Sequence, residues 1–323
     1  MGLQEFIEKL PLAGAAPPYR VLAELSSISD QDAERLAAIW AGWRPAVLRQ
    51  FLRRLAMLAE ENVLYEFDAV FKAALTAPDA VARAISVGGL HESSDKSVAR
   101  RLARLLTEDT AEEVRVAAAM GLIRFAAMAC EGRMIPRDYD RIREALKAAI
   151  EKPDETREVR RRAIEAIGHY PADVNEGYIV EAYQSGERLL KQSALFAMGR
   201  SGSRRWVPEI TTSLSSENPD IRYEAVTALG MIGEEVDAAL LVGVLEDDDL
   251  QVRASALMAL GRLGGASARR IIQRELHNRI PAIAEAAREA MEELGLGEPM
   301  LADQPGIMGI KPEANVDGNG HAR

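Results

Sequence analysis

One short segment recurs along this chain at a fixed interval of 31 residues. The interval is kept without a gap from Val159 to the copy that begins at Ile283. A chain of 323 residues exceeds the usual size of one globular core, whereas a stack of short repeats grows without a larger centre. The period therefore predicts an extended repeat array. Its regular copies are VRRRAIEAIG from Val159, LKQSALFAMG from Leu190, IRYEAVTALG from Ile221, VRASALMALG from Val252 and IAEAAREAME from Ile283.

Each copy has the residue spacing of a helix that packs on one face. In the copy that begins at Val252, small residues follow at Ala256 and Ala259, and a large apolar residue follows at Leu260. These positions share one helical face, and the small side chains let a neighbouring helix approach closely. Glycines then follow where a helix end favours left-handed backbone. A second short apolar helix and an acidic turn complete the unit, so one repeat is an antiparallel helix pair.

The spacing of the repeat changes upstream. VRVAAAMGLI begins at Val114, 45 residues before Val159, and the weaker ARAISVGGL begins at Ala82. The 14 extra residues fall around AMACEGRMIPRDYD, within positions 123–145, and predict a longer helix and loop. An insertion in a regular array marks either a binding face or a tolerated surface loop. If it is a binding face, the contacting residues are Arg133, Arg137, Asp138 and Tyr139.

We expect an all-α fold, a right-handed α-solenoid of about seven helix pairs over residues 79–297. Aromatic residues make up only 5% of the chain and apolar residues 48%, which favours helices packed through small side chains over a β-sandwich. Residues 1–78 have helical patterns but do not follow the period, so they are predicted to form a divergent helical cap. Residues 298–323 are rich in Gly, Pro, Asn and Asp, which predicts a disordered tail.

Over residues 79–297 the chain resembles bacterial HEAT-repeat proteins, of the type that includes the phycobilisome-lyase-like repeats. The resemblance rests on the repeated motif and on an arginine directly after its first aliphatic residue. In HEAT proteins this arginine and an aspartate six residues before it form a ladder between repeats, which implies a structural role here. Lys191 and Ala284 depart from the arginine position, and Ala77 and Ser216 depart from the aspartate position. The matching residues are Arg83, Arg115, Arg160, Arg222 and Arg253, with Asp109, Asp154 and Asp247.

The overall charge argues against two classes of partner. The formal net charge is −10 and the pI is near 5.2, so binding to nucleic-acid backbones or anionic membranes loses its electrostatic driving force. No stretch approaches the roughly 20 apolar residues that span a bilayer, and the N-terminus lacks the apolar core of a signal peptide. The single cysteine, Cys130, excludes an intramolecular disulfide. We therefore expect a cytoplasmic protein that binds no membrane.

Metal chemistry is not predicted. Among HEAT-type proteins, deoxyhypusine hydroxylases build a di-iron site from several His-Glu pairs on facing repeats. His91 followed by Glu92 is the only such dipeptide in this chain, and a bridged site needs ligands from at least two helix pairs. The sequence therefore predicts no metal, no cofactor and no catalytic residue.

Two further signals each have a structural alternative. Trp206 beside Arg204 and Arg205 would suit a tetrapyrrole, which some bilin-lyase relatives handle, or a partner protein. Alternatively, Trp206 fills the groove between two repeats. Arginine stripes at 100–104 and 160–162 would suit nucleic acid, but acidic clusters in later repeats oppose this, and charge runs on helices are usually solvated.

The sequence favours a non-catalytic protein-binding scaffold or assembly factor that uses the concave face of a HEAT solenoid, lined by the second helix of each repeat. The predicted contact residues are Arg204, Arg205, Trp206, Arg133, Arg137 and Tyr139. A bilin-lyase-like chromophore-handling protein is the alternative, and a nucleic-acid-binding HEAT protein ranks below it. The sequence does not identify the partner.

Overall fold

The computed structural model describes residues 19–40 and 42–297. Within these residues the chain is helical and has no β-strand, which confirms the predicted all-α class. None of the helices in this range is both long enough and apolar enough to cross a membrane. The predicted tail, 298–323, and the first 18 residues of the predicted cap lie outside the described residues.

The described chain is a succession of short α-helices joined by tight turns. In chain order these are α1 Tyr19–Leu22, α2 Asp30–Trp40, α3 Pro45–Glu61, α4 Asp68–Ala74, α5 Ala80–Gly89, α6 Lys96–Glu108, α7 Glu112–Cys130, α8 Pro136–Glu151, α9 Arg157–Ile167, α10 Ala172–Gln184, α11 Arg188–Arg200, α12 Val207–Ser213, α13 Pro219–Ile232, α14 Leu250–Leu263, α15 Gly265–Glu275 and α16 Pro281–Gly297. Short 3-10 helices cover Ala23–Leu25, Arg204–Trp206, Glu235–Leu241 and Gly243–Glu246.

The helices form two layers with one hydrophobic core between them. The helices that carry the repeated motif pack one on the next in a continuous layer, which also includes α3: α3, α5, α7, α9, α11, α13, α14 and α16. The second helices form the other layer, in which α2 packs on α4 and α6 packs on α8. Buried side chains form a single cluster from Leu22 to Leu294. Each repeat therefore closes its core only against its neighbours.

Neighbouring motif helices approach each other through glycine on alanine. A Cβ on Gly230 would lie only 2.9 Å from the Cα of Ala259. We call this closely packed layer of motif helices the inner layer, and the layer of second helices the outer layer. The expectation that the second helices line the concave surface stays a prediction. The same contact recurs at Gly168 on Ala197, Gly199 on Ala228 and Gly261 on Ala290.

These glycines serve close packing and do not end the helices. Gly199, Gly230 and Gly261 lie inside α11, α13 and α14, so the prediction of left-handed backbone at these positions is wrong. Left-handed backbone occurs instead at the next glycine position of two repeats, at Gly202 with φ +64° and Gly264 with φ +74°.

Charged rungs connect successive repeats along one edge of the stack. Arg222 donates from Nε and Nη2 to the two oxygens of Asp247 at 2.6 and 2.7 Å, and from Nη1 to the carbonyl of Ser216 at 2.8 Å. These hydrogen bonds hold the pKa of Asp247 below its ordinary value. Arg83 forms the same rung with Asp109, with both distances at 2.8 Å. We call such an arginine with its acid a closed rung.

The rung of Arg115 differs from the predicted one. Its acid is Glu155, which accepts from Arg115 Nη2 at 2.7 Å and is buried together with it. Asp154, the predicted acid, is exposed, so its assignment to the ladder is wrong. The longer glutamate side chain starts one residue later in the turn and reaches the same guanidinium group.

A further rung lies in the region that the sequence sets apart as a cap. Arg49, on α3, donates to both oxygens of Asp79 at 2.8 and 2.6 Å. Asp79 also caps α5, because it accepts from the backbone N–H of Ala82. The inner layer therefore continues across the predicted boundary at 78/79, and that boundary stays a prediction.

Candidate partner-binding surfaces

The predicted contact residue Trp206 belongs to the core. Only 1% of its surface is exposed, and the Arg205 guanidinium lies 3.7 Å from the centre of its ring. Arg205 also pairs with Glu176 on α10. Arg204 donates to Asp237 at 2.7 Å in the next repeat. The structural alternative holds for Trp206, and both arginines join neighbouring elements.

The insertion at 123–145 extends two helices around a short turn. Arg133 lies in that turn, is exposed and pairs with Glu131 at 3.1 Å. Tyr139 is half-buried and packs on Tyr170, with 4.9 Å between the ring centres, so it supports α8. Arg137 is the predicted contact residue of this segment that faces a groove on the outer layer.

This groove, which we call the arginine groove, lies between α6 and α8 and has a volume of about 890 Å³. Arg100 and Arg104 lie one turn apart on α6, and Arg137 and Arg141 lie one turn apart on α8. Two pairs of guanidinium groups therefore line the groove from opposite sides. The complete lining is Ser97, Arg100, Arg101, Ala103, Arg104, Thr107, Glu108, Arg137, Asp140, Arg141, Glu144 and Ala145.

Most of the cations in the arginine groove are not neutralised by its own acids. Among the described residues, Arg100, Arg104 and Arg137 have neither an ion pair nor a hydrogen-bond partner, and all three are exposed. Asp140 and Glu144 instead pair with Arg143, at 3.1 and 2.9 Å. The groove is thus a local basic surface on a chain whose formal charge is −10.

The inner layer carries its charges differently. On α9, Arg161 and Arg162 both donate to Glu158 and Glu165, at distances from 2.5 to 3.2 Å. Glu165 also accepts from Ser193 on α11 at 2.6 Å. Two members of the arginine stripe at 160–162, Arg161 and Arg162, are therefore internally neutralised, and they present little free positive charge to a phosphate backbone.

A single carboxyl group on the inner layer stands apart from this network. Glu224, on α13, lines a cavity of about 430 Å³ together with Arg200 and Arg262. Burial, and then the charge of Glu165, raise the pKa of Glu224 to about 7. No pattern in the sequence pointed to this group, because its burial depends on how α11 and α13 pack.

The residues weighed for metal or nucleophile chemistry do not form a reactive site in the structure. His91 and Glu92 are exposed in the turn after α5. Across residues 19–40 and 42–297, no three His, Cys, Asp or Glu side chains come together to hold a metal ion. Burial raises the pKa of the Cys130 thiol to about 11, so this cysteine is protonated at neutral pH.

Comparisons with known proteins agree on the repeat class. Residues 178–261 match the family model of HEAT repeats. Deoxyhypusine hydroxylase of Neurospora crassa is 32% identical over 89 residues, which are 26% of this chain and 28% of that protein. Phycocyanobilin lyase subunit alpha of Pseudanabaena tenuis is 32% identical over 143 residues, which are 42% of this chain and 52% of that protein. The chain thus spans about a quarter to a half of the length of these curated relatives.

Among solved structures, the crystal structure of an engineered protein aligns with a TM-score of 0.40 at 21% identity, covering 62% of this chain and 97% of that one. The repeat period, the two helical layers with their charged rungs and the match over residues 178–261 lead to one identification. The chain is a HEAT-repeat protein.

Proposed function

We propose that this protein is a non-catalytic binding scaffold and that the arginine groove binds an acidic segment of a partner protein. The observation that carries the proposal is the set of exposed, unpaired guanidinium groups at Arg100, Arg104 and Arg137, which line one groove from two helices. Guanidinium groups form strong, directional hydrogen bonds with carboxylates. Water satisfies these groups in the free protein, and a carboxylate-bearing segment would replace that water.

The composition of the groove favours a protein partner over nucleic acid. Glu108, Asp140 and Glu144 line the groove among its arginines, so a continuous phosphate backbone would meet both signs of charge. The net charge of −10 adds a repulsive field for any long polyanion. A short acidic segment can place its carboxylates on the arginines and avoid the glutamates. Direction and register are then set by charge, as at other complementary protein interfaces.

The inner layer of motif helices is less suited to this role. Its arginines at 161 and 162 are already paired with acids of the same helix. A partner would have to replace those pairs and would gain little free energy. The outer groove offers cations without that cost, and we therefore place the docking surface there.

The alternative of chromophore handling loses its predicted site. A tetrapyrrole needs an accessible aromatic wall beside cations for its propionates, and Trp206 is buried under Arg205. The relative named as a phycocyanobilin lyase subunit matches 42% of this chain. Pigment binding therefore enters the test as an outcome and not as a second proposal.

The test compares two charge reversals that have the same spacing. Arg100→Glu/Arg104→Glu reverses the arginine groove, and Arg270→Glu/Arg274→Glu reverses an exposed pair one turn apart on α15, also in the outer layer. Fluorescence anisotropy would measure binding of a labelled eight-residue glutamate peptide and of an eight-nucleotide single-stranded DNA at 0.1 and 0.5 M salt. Affinity capture of the tagged full chain from its own cells would use the same proteins.

We expect the glutamate peptide and a defined protein partner to bind the wild-type chain and the α15 variant alike. Reversal of the charges in the arginine groove should weaken both interactions at least tenfold, and 0.5 M salt should weaken binding of the peptide to the wild-type chain. Equal binding by the groove variant would refute the proposed surface. Preferential binding of the DNA, or a pigment in the captured material, would refute the proposed class of partner.

A further inference from the structure

The closed rungs define what an arginine at the ladder position normally does. Its Nε and Nη2 donate to a carboxylate in the turn before the next motif helix, and its Nη1 donates to a backbone carbonyl of its own turn. Arg83 and Arg222 follow this pattern fully. The turn thus gains both a charge partner and a fixed position.

Arg160 holds the ladder position on α9, but no acid of the next turn pairs with it. Ser185 stands six residues before Lys191, where the closed rungs of Arg83 and Arg222 have an aspartate. Glu187, in the same turn, pairs with Arg157 at 2.5 Å. Arg160 donates only from Nη2, to the carbonyl of Lys152 at 3.0 Å. Its Nε is buried and has no hydrogen-bond partner among the described residues.

A cavity of about 260 Å³ lies at this open rung. It is formed where the ends of α8 and α10 meet α9 and α11. Its wall combines apolar and polar side chains, and Arg160 is its one cationic residue. Ser185 and Glu181 are exposed and stand at its opening to solvent. The lining is Ile150, Glu151, Arg160, Ile164, Tyr178, Glu181, Ala182, Ser185 and Leu190.

A buried donor without a partner costs about 1–3 kcal/mol, and more when it belongs to a charged group. In the closed rungs, a carboxylate of the chain accepts the hydrogen bonds of the arginine. The open rung leaves room for a carboxylate of another molecule. The cavity is smaller than the roughly 300 Å³ at which pockets for drug-sized ligands begin. It therefore suits one small acid or one acidic side chain.

The acids at the cavity limit the kind of ligand further. Glu151 accepts a hydrogen bond from the Tyr178 hydroxyl, and the negative charge of the exposed Glu181 repels polyanions. A phosphate or a dicarboxylate would meet repulsion that a single carboxylate on an apolar body avoids. We infer that the cavity at the open rung binds a single carboxylate, which takes the place of the missing ladder acid on Arg160.

This inference does not depend on the arginine groove, which lies between α6 and α8. The carboxylate can belong to a free small acid or to a glutamate of a partner, and the chemistry at Arg160 is the same. Two probes separate these sources: butyrate for the free acid, and a capped glutamate peptide, acetyl-Glu-amide, for the side chain.

The direct readout is the NMR resonance of the Arg160 Nε–H in the full chain, recorded while each probe is added. A parallel titration with sodium chloride at the same ionic strength corrects for salt effects. A carboxylate that binds Arg160 should shift this resonance and reach saturation. The matched internal control is Arg253, whose Nε is also buried without a partner but which does not line this cavity.

Two variants at one exposed position complete the experiment. Ser185→Asp supplies the missing acid and should weaken binding of either probe at least tenfold, whereas Ser185→Asn has the same size without the charge and should leave binding within about twofold of wild type. A shift by either probe supports the site, and the stronger probe identifies the source. Absence of a saturable shift, equal binding by Ser185→Asp, or an equal shift of Arg253 would overturn it.

Discussion

Residues 188–297 and residues 112–187 follow the same architecture with different regularity. In the first region, motif helices begin 31 residues apart and contact each other through glycine on alanine, and the rung between Arg222 and Asp247 is closed. In the second region, α7 and α8 extend to 19 and 16 residues, the arginine groove borders α8, and the rung of Arg160 is open.

The difference shows where a repeat stack has room for a ligand. A closed rung leaves no unpaired charge and a glycine–alanine contact leaves no space between helices, because each group already has a partner in the next repeat. In the second region, the insertion lengthens α7 and α8 beside the arginine groove, and Ser185 stands where an acid would close the rung of Arg160, so cations lack partners and cavities remain. The irregular region therefore carries both surfaces that we propose for binding.

The largest expected effect concerns Trp206 in the regular region. Trp206→Ala should lower the free energy of unfolding by about 4 kcal/mol, because it empties a fully buried site. Arg205→Ala, which removes the cation above the ring and the exposed pair with Glu176, should cost about 1 kcal/mol. Urea denaturation measures both. A Trp206→Ala chain that kept its stability and lost its partner would restore the binding role that the sequence suggested.

The next effect separates a closed rung from the open one. Arg222→Leu should cost about 3 kcal/mol, since it leaves Asp247 with 8% side-chain exposure and without its guanidinium partner. Arg160→Leu should change stability by less than about 1 kcal/mol, because no acid loses a partner there. Urea denaturation of the two single variants under one condition gives the comparison. Equal losses would mean that Arg160 has a carboxylate partner within the chain.

The sequence predicted the repeated motif helices well, because their apolar spacing and small residues are local signals. It also placed Arg83, Arg115 and Arg222 in the ladder. It missed the rung of Arg49, and it named Asp154 as a ladder acid where the structure has Glu155. That choice depends on the path of a turn and on side-chain length, and neither can be read from spacing alone.

The candidate surfaces were harder to predict than the fold. The stripe at Arg100 and Arg104 and the insertion residue Arg137 were both visible in the sequence as separate features. Their meeting in one groove depends on the packing of α6 on α8, which are distant in sequence. Trp206 shows the reverse error, since an aromatic beside two arginines has the same sequence whether it is exposed or buried.

A third prediction tests whether the regular region contains a group whose ionisation changes the stability of the fold near neutral pH. The folded-state pKa of Glu224 is raised from 4.5 to about 7, so the protonated carboxyl stabilises the fold at low pH and this contribution is lost as pH rises toward 7 and above. The free energy of unfolding of Glu224→Gln, relative to that of wild type, should therefore be about 2 kcal/mol higher at pH 8 than at pH 5.

Denaturation of both chains at four pH values between 5 and 8 gives this difference directly, and the titration of other groups cancels in the comparison. Glu217→Gln, at an exposed position on the same repeat, is the control and should show no pH-dependent advantage. A constant difference in unfolding free energy between Glu224→Gln and wild type across this range would contradict the raised pKa of the Glu224 carboxyl group.

The smallest expected effect would make the irregular region more like the regular one. Ser185→Asp places a carboxylate in the turn that faces Arg160 and should close the open rung, with a gain of about 1 kcal/mol, because position 185 is exposed and water screens part of the attraction. In the Arg160→Leu background the same substitution should give no gain, and this double-mutant cycle isolates the pair. A gain that survives in that background would come from the turn itself, and the open rung would then be no more than a local departure from the repeat.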